Sequence, residues 1–191
     1  MAQIRTIQRQ PDKLDYASPT QFVFQIDQLP KVEFFNVSAN LPGISMTPTI
    51  QPTTVGRDIP IHGSKVAFED LTIGFIVDEY LENYIQLHNW LLALGFPKDR
   101  SQYKNWEDIR VSGLAGTLPG PPSKSTSADL LYSDAVLTIL SNKNNPLVHV
   151  RFHDLFPLSI SGIEYDQNAT DVESIKASAT FAYQLYEIET I

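Results

Sequence analysis

Residues 175–185 read Ile-Lys-Ala-Ser-Ala-Thr-Phe-Ala-Tyr-Gln-Leu, and their alternation decides the fold class. Ile175, Ala177, Ala179, Phe181, Tyr183 and Leu185 line one side, while Lys176, Ser178, Thr180, Gln184 and Tyr186 line the other. Period two is the mark of a strand with one buried and one wet face. The run predicts one strand of 11 residues, longer than average.

The same signature recurs upstream. Phe22, Phe24 and Ile26 oppose Val23, Gln25 and Asp27, and a second strand is expected from Glu33 to Ala39. Leu71, Ile73, Phe75 and Val77 form another apolar row, as do Ala135, Leu137 and Ile139. Val148, Val150 and Phe152 alternate with His149, Arg151 and His153. Between these last two rows lies Asn142-Lys-Asn-Asn-Pro146, which tolerates positive φ and predicts a hairpin. Further on, Leu158 and Ile160 keep one parity but Ile163 and Tyr165 adopt the other. A bulge at Gly162 would repair the register and bend the strand, which favours an antiparallel β-sandwich or partial barrel over a flat sheet.

One helix interrupts the strands. Tyr80, Tyr84, Leu87, Leu91 and Leu94 recur at steps of four and three, widened by Ile85 and Trp90 into one apolar stripe. Asp78 is the expected N-cap, Glu79 and Glu82 suit the positive end of the dipole, and Gly95 with Pro97 gives the stop. The helix should pack on the sheet.

Two stretches lack regular patterning. Residues 41–64 hold prolines, glycines and short extended pieces such as Thr47 to Ile50 and Ile59 to Ile61, and predict a protruding hairpin or arm. Residues 96–129 read as a loop-like insertion that includes Gly116-Thr-Leu-Pro-Gly-Pro-Pro-Ser-Lys-Ser, a semi-extended linker. Trp106 lies in this insertion and could be exposed, whereas Trp90 belongs to the helix stripe. Residues 1–20 form a polar extension, leaving 21–191 as the domain.

Composition excludes several classes. The 191 residues include no Cys, so there is no disulfide framework, thiolate metal site or cysteine nucleophile. A net charge of −8 argues against tight binding to duplex nucleic acid, which relies on Lys and Arg. The first twenty residues carry Arg5, Arg9 and Lys13 with no apolar core, so no signal peptide is read, and no apolar run is long enough to span a membrane.

Chemistry-bearing motifs fail on spacing. In the Gly116 stretch, Pro121, Pro122 and Ser123 separate the second glycine from Lys124, so no phosphate loop forms. His149 and His153 stand four residues apart on a strand, roughly 13 Å, too far to share one metal. Asp166 to Asp171 opens like a calcium loop but lacks the glycine at its sixth position. The sequence supplies no catalytic, cofactor-binding or metal-ligating set.

The order of segments carries a family likeness. Leu41-Pro-Gly-Ile44, a proline-rich arm, Ile59-Pro-Ile61-His-Gly63, Phe68-Glu-Asp70-Leu-Thr-Ile73, Val77-Asp-Glu79 before a helix with Asn89-Trp90, Leu155-Phe-Pro-Leu-Ser-Ile160 and Thr180-Phe-Ala-Tyr183 together resemble the tail-tube family of long-tailed bacteriophages, which includes contractile-tail tubes and baseplate tube initiators. The resemblance implies a β-sandwich with one packed helix, set in a hexameric ring whose inner sheets join around a DNA channel. It implies a structural protein of the virion tail, assembled in the host cytoplasm, whose partners are further copies, adjacent tube or baseplate rings and sheath. DNA would be transient cargo, and no membrane or cofactor is implied. By the same likeness the inter-subunit arm comprises Leu41, Pro42, Gly43, Ile44, Ile59, Pro60 and Ile61. The extension and insertion depart from the plainest tube subunit, which favours a tube-initiator or junction layer over the repeating tube. The acidic charge predicts a channel lining that is polar and neutral or acidic. Competing readings are a monomeric ligand-binding β-sandwich and, more remotely, an enzyme using the His149 and His153 face.

Overall fold

In the computed structural model, residues 15–27, 29, 35–54, 56–104, 106, 131–167 and 174–191 are described. Eleven strands follow in chain order: β1 (Phe22–Ile26), β2 (Asn36–Ala39), β3 (Ile44–Met46), β4 (Thr49–Gln51), β5 (Ile59–Ile61), β6 (Val66–Phe68), β7 (Leu71–Ile76), β8 (Ser133–Leu140), β9 (Pro146–Ile160), β10 (Lys176–Ala182) and β11 (Leu185–Thr190). The helix α1 (Glu82–Gly95) lies between β7 and β8. Seven strands form one sheet in the order β1-β8-β9-β10-β7-β2, with β11 also paired to β9. Every pairing is antiparallel. β1 approaches β2, so the sheet curls back on itself as a partial barrel.

The predicted alternation is what curls it. Phe24 and Ile26, Leu71, Ile73 and Phe75, Ala135 and Leu137, Val150 and Phe152, and Ala177, Ala179 and Phe181 all point into one core. Leu87, Trp90 and Ala93 of α1 close the open side. A fully buried large apolar side chain is worth about 1.5–3 kcal/mol against solvent exposure, so this single cluster holds the domain. The hairpin at Asn142–Pro146 is as expected: Asn144 has φ 60, and Ser141 accepts its amide at 2.8 Å.

The bend is not at Gly162. That residue is exposed and lies beyond the end of β9, as do Ile163 and Tyr165. The register is adjusted upstream. Asp154 has φ 53, and the β8 pairing slips there between Ser133↔Leu155 and Ala135↔Phe152. A second slip opposite Thr180 and Phe181 leaves Leu158 without a partner on β10 and turns it outward. Pro157, which has no N–H to donate, sits beside this bulge where a missing ladder bond is tolerated.

The expected 11-residue strand is also broken. β10 ends at Ala182, and β11 resumes at Leu185 along the same edge of β9. Across the break the buried parity flips, so Leu185 is exposed and Tyr186 turns inward. Tyr183 and Tyr186 can both face the core only because the alternation is interrupted between them.

The helix starts later and is rotated relative to the predicted stripe. Its inward residues are Asn83, Leu87, Trp90 and Ala93, while Tyr80 precedes it and is 77% exposed, and Ile85 faces out. Asp78 is not the N-cap, because Leu81 occupies that position with φ 57. The Asp78 carboxylate instead accepts the Asn83 amide at 3.2 Å. Buried Asn83 accepts the Tyr84 amide at 2.8 Å and donates to the Ile76 carbonyl at 2.8 Å, tying the first turn to the end of β7. Gly95 is the last helical residue, and Phe96 beyond it takes the left-handed conformation, its amide donating to Leu92 at 2.9 Å.

The insertion is not loop throughout its described part. Residues 101–104 are helical, and Trp106 is only 2% exposed, stacked on Trp90 with ring centres 5.9 Å apart. The core therefore draws its second tryptophan from the segment expected to be peripheral. Residues 1–14 of the polar extension, Glu33, the Gly116 linker and the Asn168–Asp171 part of the calcium-like segment lie outside the described residues.

Candidate functional site

The arm is a two-storey hairpin. β3 pairs with β6 through Ile44↔Phe68 and Met46↔Val66, and β4 pairs with β5 through Ile50↔Pro60 and Gln51↔Ile59. At the tip, Thr53 donates through its hydroxyl to the Arg57 carbonyl at 2.8 Å and through its amide to Asp58 at 3.2 Å, and Gly56 supplies φ 84. Between the storeys Gly63 is buried against the carbonyl of Thr47, where any side chain would collide with backbone. All residues of β3 to β6 are exposed. Ile44, Met46, Ile50, Ile59, Ile61, Val66 and Phe68 thus present apolar surface to solvent on a projecting ribbon. Exposed apolar patches of this continuity mark interaction sites on soluble proteins.

The predicted arm residues divide into two groups. Leu41, Ile44, Ile59, Pro60 and Ile61 are exposed, whereas Pro42 is buried and Gly43 partly so, at the root. Gly43 and Glu69 exchange backbone and side-chain hydrogen bonds across that root, at 3.0 and 3.3 Å. The tyrosines of the β10–β11 break hold it from below. Tyr183 donates to the Glu69 carbonyl at 2.8 Å, and Tyr186 to the Pro42 carbonyl at 3.1 Å. Phe68 meets both rings edge-on, at 6.1 and 5.6 Å, and Phe152 lies 5.1 Å from Tyr183. Burial, then the neighbouring Tyr186, Asp70 and Glu69, push the Tyr183 hydroxyl up to about 12. It stays protonated and remains a donor throughout the neutral range.

Sequence reasoning missed this root. Strict alternation puts Tyr183 and Tyr186 on opposite faces of one unbroken strand, and the arm read over residues 41–64 stops short of Val66 and Phe68. A sequence signal was present: two tyrosines three apart in a period-two strand cannot share a face unless the strand breaks.

The second candidate surface is the outer face of β1, β8, β9 and β11. Arg151 and Glu189 pair at 3.0 Å, His153 faces Glu187 at 3.9 Å, and Thr138 shares a hydrogen bond of 2.9 Å with His149. Asp27 and Asp134 lie on the same side, and burial followed by the Asp134 charge raises the Asp27 pKa. Four carboxylates thus face one guanidinium. Both outer edges of these four strands, β1 and β11, lack a partner strand among the described residues. Ile188 of β11 has core parity, opposite Val150, yet is 56% exposed. Among the described residues no three His, Asp or Glu side chains could hold a metal ion, and no helix is long and apolar enough to cross a membrane.

No protein-family model matches the sequence, and no curated protein does. Solved structures do. A chain of the anti-feeding prophage baseplate, from a six-fold symmetrised cryo-EM structure, matches over 92% of this chain and 96% of its own, with 11% identity and a TM-score of 0.59. The fold is that of contractile injection system components. A chain of the anti-feeding prophage tube-terminating cap matches over 97% and 99%, with 14% identity and a TM-score of 0.55. A chain of the PVC sheath–tube complex in its extended state matches over 92% and 93%, with 10% identity and a TM-score of 0.52. At these identities the likeness concerns the fold. It extends the tail-tube resemblance to injection machines and is not specific to bacteriophage tails.

Proposed function

We propose that this chain is a structural subunit of a contractile tail tube, in a bacteriophage or a machine of the same design, without catalytic turnover. Six copies form a ring around the channel, in the initiator or junction layer where tube meets baseplate. The observation that carries the reading is the pair of edges, β1 and β11, that have no hydrogen-bonded partner strand among the described residues. β1, β8, β9 and β11 alternate in direction, so β1 and β11 run opposite ways. Copies related by rotation then bring β1 of one beside β11 of the next as an antiparallel pair, and the joined sheets close without exposed edges. The neighbour also covers Ile188.

The arm reaches a second copy, in the same ring or the next, through Ile44, Ile59, Pro60 and Ile61, with Pro42 and Gly43 setting its angle. The acidic outer face of the four strands lines the channel, where excess carboxylate keeps passing DNA from sticking through counterion release. The likeness to a baseplate chain supports the initiator layer, and the sheath–tube chain supports the repeating tube as the alternative. In this reading the protein resides in the tail of a particle, assembled in the host cytoplasm, with adjacent rings and sheath as partners.

Negative-stain microscopy and light scattering of the purified protein test the proposal. Rings or stacked tubes are the expected result. A protein that stays monomeric at high concentration and is absent from any particle refutes it, and a particle map with Lys and Arg lining the channel refutes the electrostatic part.

A further inference from the structure

Beside the C-terminal end of α1 the surface is hollowed twice, and Leu131 belongs to both walls. One hollow, about 520 Å³, lies among Leu94, Tyr132, Phe156 and Leu158. The other, also about 520 Å³, lies among Phe96, Asp99, Arg100 and Tyr103. Together they make an apolar trough ending in an acid–base dipeptide. Leu158 reaches the trough because the bulge in β9 turns it outward, and it is 46% exposed there, with Phe96 and Tyr132 similarly open. The hydroxyl and amide of Ser101 donate to Asp99 and lower its pKa, so the carboxylate is ionised.

The arm tip has the matching chemistry in reverse order. Ile50 and Pro60 are register partners and so share one face, with Ile50 63% exposed. The turn beyond them carries Arg57-Asp58, against Asp99-Arg100 in the trough. Among the described residues neither Arg57 nor Arg100 forms an ion pair. A projection and a complementary hollow at separate places on one chain make a head-to-tail contact, which generates a ring where the rotation closes and a stack where it does not.

We propose that the arm tip of one copy seats in this trough of another, Ile50 and Pro60 filling the apolar part while Arg57 meets Asp99 and Asp58 meets Arg100. This rests on the reading of the arm as an inter-copy contact and names its receptor. The residues concerned are exposed, so their substitution leaves the folded body intact, as an unchanged melting temperature verifies.

The chain contains no cysteine, which makes disulfide trapping clean. Ile50→Cys protein and Leu158→Cys protein, mixed and oxidised, should give a cross-linked dimer that neither gives alone. Reversing the arm charges with Arg57→Asp and Asp58→Arg should lower the cross-linked yield about tenfold, the size expected for opposing like charges at a contact. Adding Asp99→Arg and Arg100→Asp to the receiving copy should restore it. Rings that form while the mixture fails to cross-link overturn the trough as the receptor of the arm. Rings that form equally well from Ile50→Asp protein overturn the underlying reading of the arm, which separates the two failures.

Discussion

Removing the two root hydroxyls should loosen the arm and leave the barrel intact, and the two should not count equally. Tyr183 and Tyr186 donate to the carbonyls of Glu69 and Pro42, one on each strand entering the arm. A hydrogen bond of this kind contributes about 0.5–1.5 kcal/mol, and the cost of breaking it rises when the abandoned partner is buried. Glu69 is exposed, so water replaces the Tyr183 hydroxyl. Pro42 is buried, so its carbonyl is left without a partner. Tyr183→Phe should therefore cost about 0.5 kcal/mol and Tyr186→Phe about 1.5–2 kcal/mol, equivalent to roughly twofold and 10- to 30-fold faster opening of the root. Phenylalanine keeps the ring contacts with Phe68 and Phe152, which isolates the hydroxyl. The rings lie 5.9 Å apart, so the double variant should depart from simple additivity. Hydrogen exchange resolved by segment is the assay, with β3 and β6 compared against β7 and β10. Equal effects from the two substitutions, or a larger one from Tyr183→Phe, would refute the assignment of the root to a buried Pro42 carbonyl.

Gly63→Ala should disorder the distal storey, because its methyl group would enter the Thr47 carbonyl, while the melting temperature of the body changes little; a loss of ring assembly without loss of fold is the expected readout. Asn83→Ala should destabilise the whole domain by about 1–3 kcal/mol, since it leaves the Ile76 carbonyl and the Tyr84 amide unpaired in a buried site, and a urea midpoint measures it. Alkaline pH should weaken the arm root. The folded Tyr183 holds its proton up to about 12 against about 10 when unfolded, so its contribution is complete below pH ~10 and is lost as pH rises through the folded value. A pH titration by tyrosinate absorbance, compared between the native chain and Tyr183→Phe, checks the sign; a Tyr183 that ionises at its ordinary value contradicts it.

The core was legible because period-two burial constrains sequence directly. Phe24 and Ile26, Leu71 to Phe75, Ala135 and Leu137, Val150 and Phe152, and Ala177 to Phe181 all fall where alternation put them. What escaped were positions where alternation is deliberately broken. Asp154 and Leu158 look like ordinary strand residues, and only the partner strands show that each is a bulge. Gly162 attracted the bend because glycine permits it, but permission does not specify location. The helix stripe differs by one position because Asn83 is polar yet buried, its side-chain amide donating to the Ile76 carbonyl and accepting the Tyr84 N–H. Trp106 escaped because a tryptophan in an irregular segment carries no periodicity to place it. The arm was legible as a protrusion from its prolines and glycines, yet its root depends on Tyr183 and Tyr186, more than a hundred residues away in sequence.

These breaks share one level of the molecule. The strands β2 and β7 give way to β3 and β6 around Asn40 and Asp70, β10 gives way to β11 at Tyr183 and Gln184, and β9 bends at Asp154. Asn40 stitches the first two, donating to the Asp70 carbonyl at 3.2 Å and accepting the Thr72 amide at 2.6 Å, while Gln184 donates to His153 at 2.9 Å across the other two. On one side of this level β7, β10 and the helix pack around the core, and β1, β8 and the first half of β9 complete that core on the other. On the other side β11 stays with β9 while β3 and β6 depart as the arm, so an edge with no partner strand among the described residues and an apolar ribbon emerge side by side. Neither contributes much to folding of the lone chain, since β11 buries only Tyr186 in part and the arm strands bury nothing. Energy withheld from the monomer is thereby available to association. The division also means that core and arm substitutions should add within a few tenths of a kcal/mol unless they pass through Phe68, Phe152, Tyr183 or Tyr186, the one cluster that both halves share. A Phe152→Ala chain whose arm exchanged as slowly as the native one would show that the two halves are uncoupled even there.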